Sequence, residues 1–328
     1  MASPLTIALT PQAVSPAVRK HFVDAYEELK PKLEYAFKVD AQQTDYNEIE
    51  QNYTGLGDLT AIAEGEIFPE DAVIQGYNVI YTPVKYGKTI PITFEMFQWK
   101  KTNEIVNVAK QGGRAMARNQ EKVSSSIYRN GFNAAFTSLS DAKPLFSTAH
   151  PRADGGAAIS NASANGITLT EPNLETAILA MEEVLDDRGE QIQIFADTLL
   201  VPLALRKEAI VITKSVLQPG DNHNDINAYN SENANMQMYG GGTIAKVVVW
   251  HNLGAYLGGS DTAWYLLDSS NLAVTWKWAY KPMISEKNDI TGFRNDITYF
   301  KARYGASTGW TNFRGVWGSK GDGQAYAG

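Results

Sequence analysis

From Gly55 to Asn133 the spacing of apolar residues changes once, from an extended-chain rhythm to a helical one. The first half, Asp58 to Met96, predicts strand. Ile62, Ile67, Val73, Tyr77, Val79, Tyr81, Val84, Ile90 and Ile92 stand among polar and β-branched neighbours, with Pro69-Glu70-Asp71 and Tyr86-Gly87 as turn signals. Pro83 and Pro91 fall inside the strand text. Proline has no N–H to give a sheet ladder, so these strands are expected at edges or in a free two-stranded ribbon. Such a ribbon is barely stable alone in water. A chain that carries one is expected to lay it on another molecule.

The second half, Thr102 to Asn133, predicts a single helix. Ile105, Val108/Ala109, Gly112, Met116, Val123 and Ile127 recur near helical spacing. Thr102 or Asn103 is the expected cap, and Asn130-Gly131 the expected stop. At 1.5 Å per residue such a span reaches about 48 Å, long for a globular domain. Gly112-Gly113 at its middle costs about 1 kcal/mol per glycine relative to alanine, which predicts a bend or a close packing partner there.

Around this run the pattern is more ordinary. Ser15 to Leu29 predicts a helix, with Ser15 capping and Pro16 first. Pro31 to Tyr53 is polar and reads as an arm with little core of its own, and Ala153 to Gly166 reads as a loop. Thr170 is expected to cap a helix from Glu171-Pro172 to about Asp187, with Leu174, Ile178, Met181 and Leu185 facing a core. Gln191 to Val201 predicts a strand, leading through Pro202 into a helix from Leu203 to Val216, the rhythm of an α/β layer. Gln218 to Gly242 is Asn-rich and irregular, and long loops of that kind are usually contact surfaces. Strands follow at Thr243–Trp250, Ala263–Leu267 and Leu272–Trp278, and Asn295 to Trp317 reads as a final hairpin.

Composition narrows the classes. The 328 residues, 44% hydrophobic and 20% charged, suit one large or two ordinary folded domains. There is no cysteine, which excludes disulfides, thiol catalysis and cysteine-ligated zinc. Met1-Ala2-Ser3-Pro4 lacks the basic and apolar regions of a signal peptide, so synthesis in the cytoplasm is expected. No apolar run approaches the ~20 residues of a membrane span. Charge is uneven. Lys100, Lys101, Lys110, Arg114, Arg118, Lys122 and Arg129 outnumber Glu104 and Glu121, giving +5 against a whole-chain −7, so the remainder carries −12. Lys110, Arg114, Arg118 and Lys122 repeat every four residues as one stripe on the long helix. The stripe is either a solvated face or a surface that meets phosphates without reading sequence.

Catalytic constellations are missing. His21, His150, His223 and His251 have no second ligand at a metal spacing, and no metal site or cofactor is expected. His150, in Phe146-Ser147-Thr148-Ala149-His150-Pro151, is expected to anchor a loop rather than act as a base. Ser147 lacks the Gly-x-Ser-x-Gly elbow. Asp221, Asp225 and Glu232 touch a calcium-loop template that fails at Ile226, where the turn needs glycine. No phosphate loop or dinucleotide fingerprint occurs. The late aromatic residues Trp276, Trp278, Tyr280, Trp310, Phe313 and Trp317 are expected in a core, with a carbohydrate or base-stacking platform the alternative.

The order of arm, extended hairpin, long helix, loop, α/β layer, long loop and returning sheet resembles the major capsid protein of tailed bacteriophages. Tyr86-Gly87-Lys88-Thr89-Ile90-Pro91-Ile92-Thr93-Phe94-Glu95, Leu145-Phe146-Ser147-Thr148-Ala149-His150-Pro151 and Leu199-Leu200-Val201-Pro202 look like the Mu-type major head subunits. The resemblance implies an α+β, Hong Kong 97-type fold. Its parts would be an N-terminal arm (1–54), an extended β-hairpin loop (55–90), a peripheral domain (91–172) with spine helix 102–133, an axial α/β domain (173–267) and a return to the peripheral domain (268–328). It also implies hexamers and pentamers of this chain forming an icosahedral virion shell around double-stranded DNA. Portal, scaffolding and decoration proteins would be partners, no membrane would be involved, and assembly would occur in the host bacterial cytoplasm. The spine would turn Lys110, Arg114, Arg118 and Lys122 toward DNA, and Ile67, Phe68, Tyr77, Val79 and Tyr81 would reach a neighbouring subunit. Lys85 and Lys88 lie near the hairpin without an identified cross-linking asparagine, so non-covalent assembly is expected. An encapsulin-type compartment is the nearer alternative, and a carbohydrate-active or hydrolytic enzyme using His150 the farther one.

Overall fold

The structure, a computed structural model, describes residues 11–31, 33–40, 43–54, 57–99, 101–215, 244–287 and 296–326. The segment 218–242, with the calcium-like residues and the expected axial loop, lies outside the described residues. In chain order the elements are α1 (Pro11–Glu28), β1 (Lys38–Asp40), β2 (Glu48–Thr54), β3 (Ile74–Tyr81), β4 (Val84–Thr93), α2 (Phe94–Gln98) and α3 (Thr102–Arg129). Then come α4 (Glu171–Glu182), β5 (Thr198–Val201), α5 (Arg206–Lys214), β6 (Lys246–Val249), β7 (Trp264–Leu267), β8 (Val274–Lys287), β9 (Ile297–Trp310) and β10 (Val316–Ser319). The expected α+β class is what these elements make. Among the described residues no helix is long and apolar enough to cross a membrane.

The long helix is present, with corrected ends. α3 has 28 residues, about 42 Å of rise, and stops at Asn130, whose N–H reaches the Ser126 carbonyl at 2.9 Å. Neither Thr102 nor Asn103 caps it. Lys101 precedes the first turn, and its carbonyl accepts from Glu104 and Ile105 instead. Of the two outcomes foreseen for the glycine pair, close packing is the one realised. A Cβ on Gly113 would lie 2.3 Å from the Phe22 carbonyl oxygen, so α1 lies directly on α3 at that point. Val18, Phe22 and Tyr26 bury one face of α1 there, and the Tyr26 hydroxyl donates to Gln120 at 2.9 Å. Burial pushes the pKa of that hydroxyl up to about 12. Pro16 sits inside α1 rather than at its first position, so the predicted Ser15 cap is wrong.

The strands form two four-stranded sheets. The first runs β1-β8-β9-β4 and the second β10-β7-β5-β6, while β2 and β3 form a separate two-stranded ribbon. β4, which carries Pro91, is an edge strand, as the missing N–H requires. The reading of Asp58–Met96 as strand text needs correction. Residues 58–73 are irregular, β3 pairs backward with β2 inside the supposed arm, and β4 pairs with β9. The arm also has more core than its polarity suggested: Leu33, Ala36 and Phe37 are buried, and β1 adds a parallel strand to β8. The block 295–317 is not one hairpin. β9 pairs with β8 in the first sheet, then the chain crosses so that β10 pairs with β7 in the second. The strand predicted over 191–201 is confined to β5.

An aromatic seam joins the sheets at the C-terminal end of α3. Tyr128 packs edge-on to Phe37, Trp250 and Tyr265, and Phe146 stacks on Tyr265 at 5.0 Å. The Tyr128 hydroxyl donates to the Ala36 carbonyl at 2.6 Å, and Tyr265 donates to the Tyr128 carbonyl at 3.0 Å. Trp276, Trp278, Trp310, Phe313 and Trp317 are all buried, so the late aromatics are core rather than a binding platform.

Candidate functional surfaces

The ribbon has two unlike faces because side chains alternate along a strand. In its antiparallel register Glu48 faces Tyr81, Glu50 faces Val79, and Ile49 faces Ile80. Val79 and Tyr81 turn inward and are each 1% exposed, while Ile49, Tyr53 and Ile80 turn outward and are more than half exposed. Gly309 on β9 permits this approach: a Cβ there would meet Tyr81 Cε1 at 2.9 Å. Of the five residues expected to reach a neighbour, Val79 and Tyr81 therefore pack into their own chain, and Tyr77 is half-buried against the same core. Ile67 and Phe68 are 94% and 78% exposed on the irregular tip, together with Leu59 at 99%.

Beneath the inner face sits a residue the sequence reading did not single out. Lys277 of β8 is buried between Trp276 and Trp278, yet its Nζ donates to Glu48 Oε1 at 2.6 Å and to Glu50, both on β2. The ammonium also lies 4.4 Å from the centre of the Tyr81 ring. Burial pushes the Lys277 pKa down, but the hydrogen bonds from its ammonium to Glu48 and Glu50 outweigh this and hold it above the ordinary lysine value. A lysine inside Thr275-Trp276-Lys277-Trp278 was the available signal, since a charge in so apolar a strand needs a partner. The tip has its own tether. Asp71 accepts from the Gly57 N–H at 2.7 Å and pairs with Arg188 at 3.0 Å, and Arg188 also donates to the Ala72 carbonyl. The Gly57 hydrogen bond, helped by Arg188, holds the Asp71 carboxyl below the usual carboxylate range.

The basic stripe on α3 is present but uneven. Arg114, Arg118 and Lys122 are exposed, and Lys110 is half-buried. Arg114 pairs with Glu28 of α1 at 3.1 Å, which offsets part of its charge. Arg118 and Lys88 both line a groove of about 580 Å³ between α3 and the β4–β9 edge.

His150 occupies a closed site. It is fully buried, bonds Asp141 through Nδ1 at 2.8 Å and stacks on Phe313 with ring centres 3.7 Å apart. Its backbone exchanges two hydrogen bonds of 2.8 Å with Ile159. Asn161 completes the anchor by accepting from the Ser147 N–H and donating to the Leu145 and Phe313 carbonyls. These bonds hold the loop after α3 against β9 and β10, in the role expected of His150.

A chain whose conspicuous surfaces are an outward apolar ribbon, an acidic irregular tip and a basic helix face, with its one distinctive histidine sealed in packing, is built as a subunit of an assembly. Residues 76–319, most of the chain, match the family model described as phage capsid protein, and the chain belongs to that family. Solved structures similar to it include a virus-like particle from Pyrococcus furiosus, at 9% identity and TM-score 0.49, covering 93% of this chain and 98% of that one. The procapsid of bacteriophage JBD30 matches at 15% identity and TM-score 0.47, covering 95% and 76%. The capsid of the Myoviridae phage XM1 matches at 13% identity and TM-score 0.47, covering 88% and 90%. Compared with curated protein sequences, the chain has no match.

Proposed function

We propose that this chain is the major head subunit of a tailed phage, with the Hong Kong 97-type fold, and that its copies assemble as hexamers and pentamers into an icosahedral shell around double-stranded DNA. Membership of the phage capsid family gives the class, and the ribbon carries the reading. Its Leu59, Ile67 and Phe68 are exposed on one irregular segment, and apolar groups left to solvent in this way suit a contact surface. Each subunit lends this tip to a neighbour, and many modest contacts summed around closed symmetry hold the shell. In that particle Lys110, Arg114, Arg118 and Lys122 face the genome, with portal, scaffolding and decoration proteins as further partners.

Replacing 58–72 by a short glycine turn tests the ribbon role, because this leaves β2, β3 and the buried Val79 and Tyr81 in place. The variant is expected to stay folded by circular dichroism and to form no particles by electron microscopy; intact particles would overturn the role. Changing Lys110, Arg114, Arg118 and Lys122 together to glutamine is expected to leave shells intact and to weaken DNA retention. Removing one phosphate-neutralising charge lowers the salt slope of binding by about 0.9. An unchanged slope would overturn the DNA-facing assignment.

A further inference from the structure

The second sheet carries a helix near each of its lateral edges. α4 packs on β10, and α5 packs on β5 and β6, with β10 and β6 the opposite edge strands. Three strand spacings separate those edges by about 14 Å. The outward faces of the two helices match in spacing and oppose in charge. On α4 and its C-cap, Glu175, Leu179 and Glu183 lie four residues apart on one exposed face. On α5, Lys207, Ile210, Val211 and Lys214 lie three to four apart and are likewise exposed. One face reads acid–apolar–acid and the other base–apolar–base. α4 with its cap holds four glutamates and no basic residue, and α5 holds Arg206, Lys207 and Lys214 against Glu208. Among the described residues Glu175, Glu183, Lys207 and Lys214 form no ion pair.

We propose that the α4 face of one copy docks on the α5 face of a second copy, with Leu179 against Ile210 and Val211 and the flanking glutamates meeting the flanking lysines. This rests on the shell reading and supplies the lateral contact within a ring of subunits. Like faces repel, since α4 on α4 sets glutamate against glutamate and α5 on α5 sets lysine against lysine. The contact is therefore heterologous, two different patches of one chain, and repeats from copy to copy until the rotation closes a ring. The apolar centre supplies burial, while the charges fix partner and register.

Charge reversal tests it, because all four charged residues are exposed and their replacement leaves the core untouched. Purified wild type, Glu175→Lys/Glu183→Lys, Lys207→Glu/Lys214→Glu and the quadruple variant are compared by sedimentation velocity and negative-stain microscopy, with circular dichroism on each. Each double variant is expected to remain folded and to lose the fast-sedimenting particle. The quadruple variant, complementary again, is expected to regain it. Double variants that assemble like wild type would overturn this contact alone, as would a quadruple variant that stays dispersed. A wild type that never assembles overturns the shell reading, and this contact with it.

Discussion

Gly113→Ala turns the packing of α1 on α3 into a question of sign. At an open helical position the change stabilises by about 1 kcal/mol, because alanine gives up less backbone freedom than glycine. Here the new methyl would stand 2.3 Å from the Phe22 carbonyl oxygen and 3.0 Å from the Tyr26 nitrogen, both backbone atoms that cannot rotate away. Relief requires the helices to part by about 1 Å, a gap that forfeits a quarter to a half of each dispersion contact along it. Overpacking of this kind costs about 1–3 kcal/mol, which outweighs the helix-propensity gain at all but the lowest end of that range. The expected net effect is a loss of up to about 2 kcal/mol. Gly112→Ala is the internal control. Its methyl would meet Ile90 Cδ1 at 2.7 Å, the end of a flexible side chain, so a net change near zero is expected. Urea unfolding of the dispersed chain, followed by circular dichroism, measures both. Gly113→Ala equal to or more stable than wild type would refute the close-packing argument.

Lys277→Met leaves Glu48 and Glu50 facing an apolar group and is expected to cost about 2–4 kcal/mol in urea unfolding, with much of the loss recovered when both glutamates become glutamine. A lysine held above its ordinary value contributes below 10.5 and loses that contribution as pH rises through the raised value, so the same comparison should be flat between pH 6 and 9. Asp71→Ala removes the partner of Gly57 and Arg188, and limited proteolysis should then cut within 57–73 faster than in wild type. Acid should do the same, since a carboxyl held below its ordinary 3.8 keeps its contribution above that value and loses it as pH falls through the lowered one. His150→Ala strips the stacking on Phe313 and leaves Asp141 without its ring partner, for an expected loss of about 3 kcal/mol read in the same unfolding assay.

Where local physics sets structure, the sequence was readable. The period of α3, its stop at Asn130-Gly131, the Glu171-Pro172 start of α4 and the edge position of Pro91 each follow from one residue or one spacing. The ribbon was half visible. Its β3 strand shows apolar alternation, but β2 reads Glu48-Ile49-Glu50-Gln51-Asn52-Tyr53-Thr54, with its apolar residues turned to solvent and its acids turned in toward Lys277. Normal burial logic is inverted there, and the partner lies more than two hundred residues away. The crossing of β10 into the second sheet was hidden as well, since Val316-Trp317-Gly318-Ser319 carries no mark of which sheet it joins. Of the expected surface residues, Ile67 and Phe68 lie on the tip, but Val79 and Tyr81 failed because strand text alone does not say which alternate face meets β9.

The central claim, a subunit completed only by copies of itself, is tested most directly by negative-stain electron microscopy of the purified wild-type chain. Closed hollow particles of uniform size are the predicted result. A field of dispersed single chains, persisting as protein concentration is raised, would contradict the account.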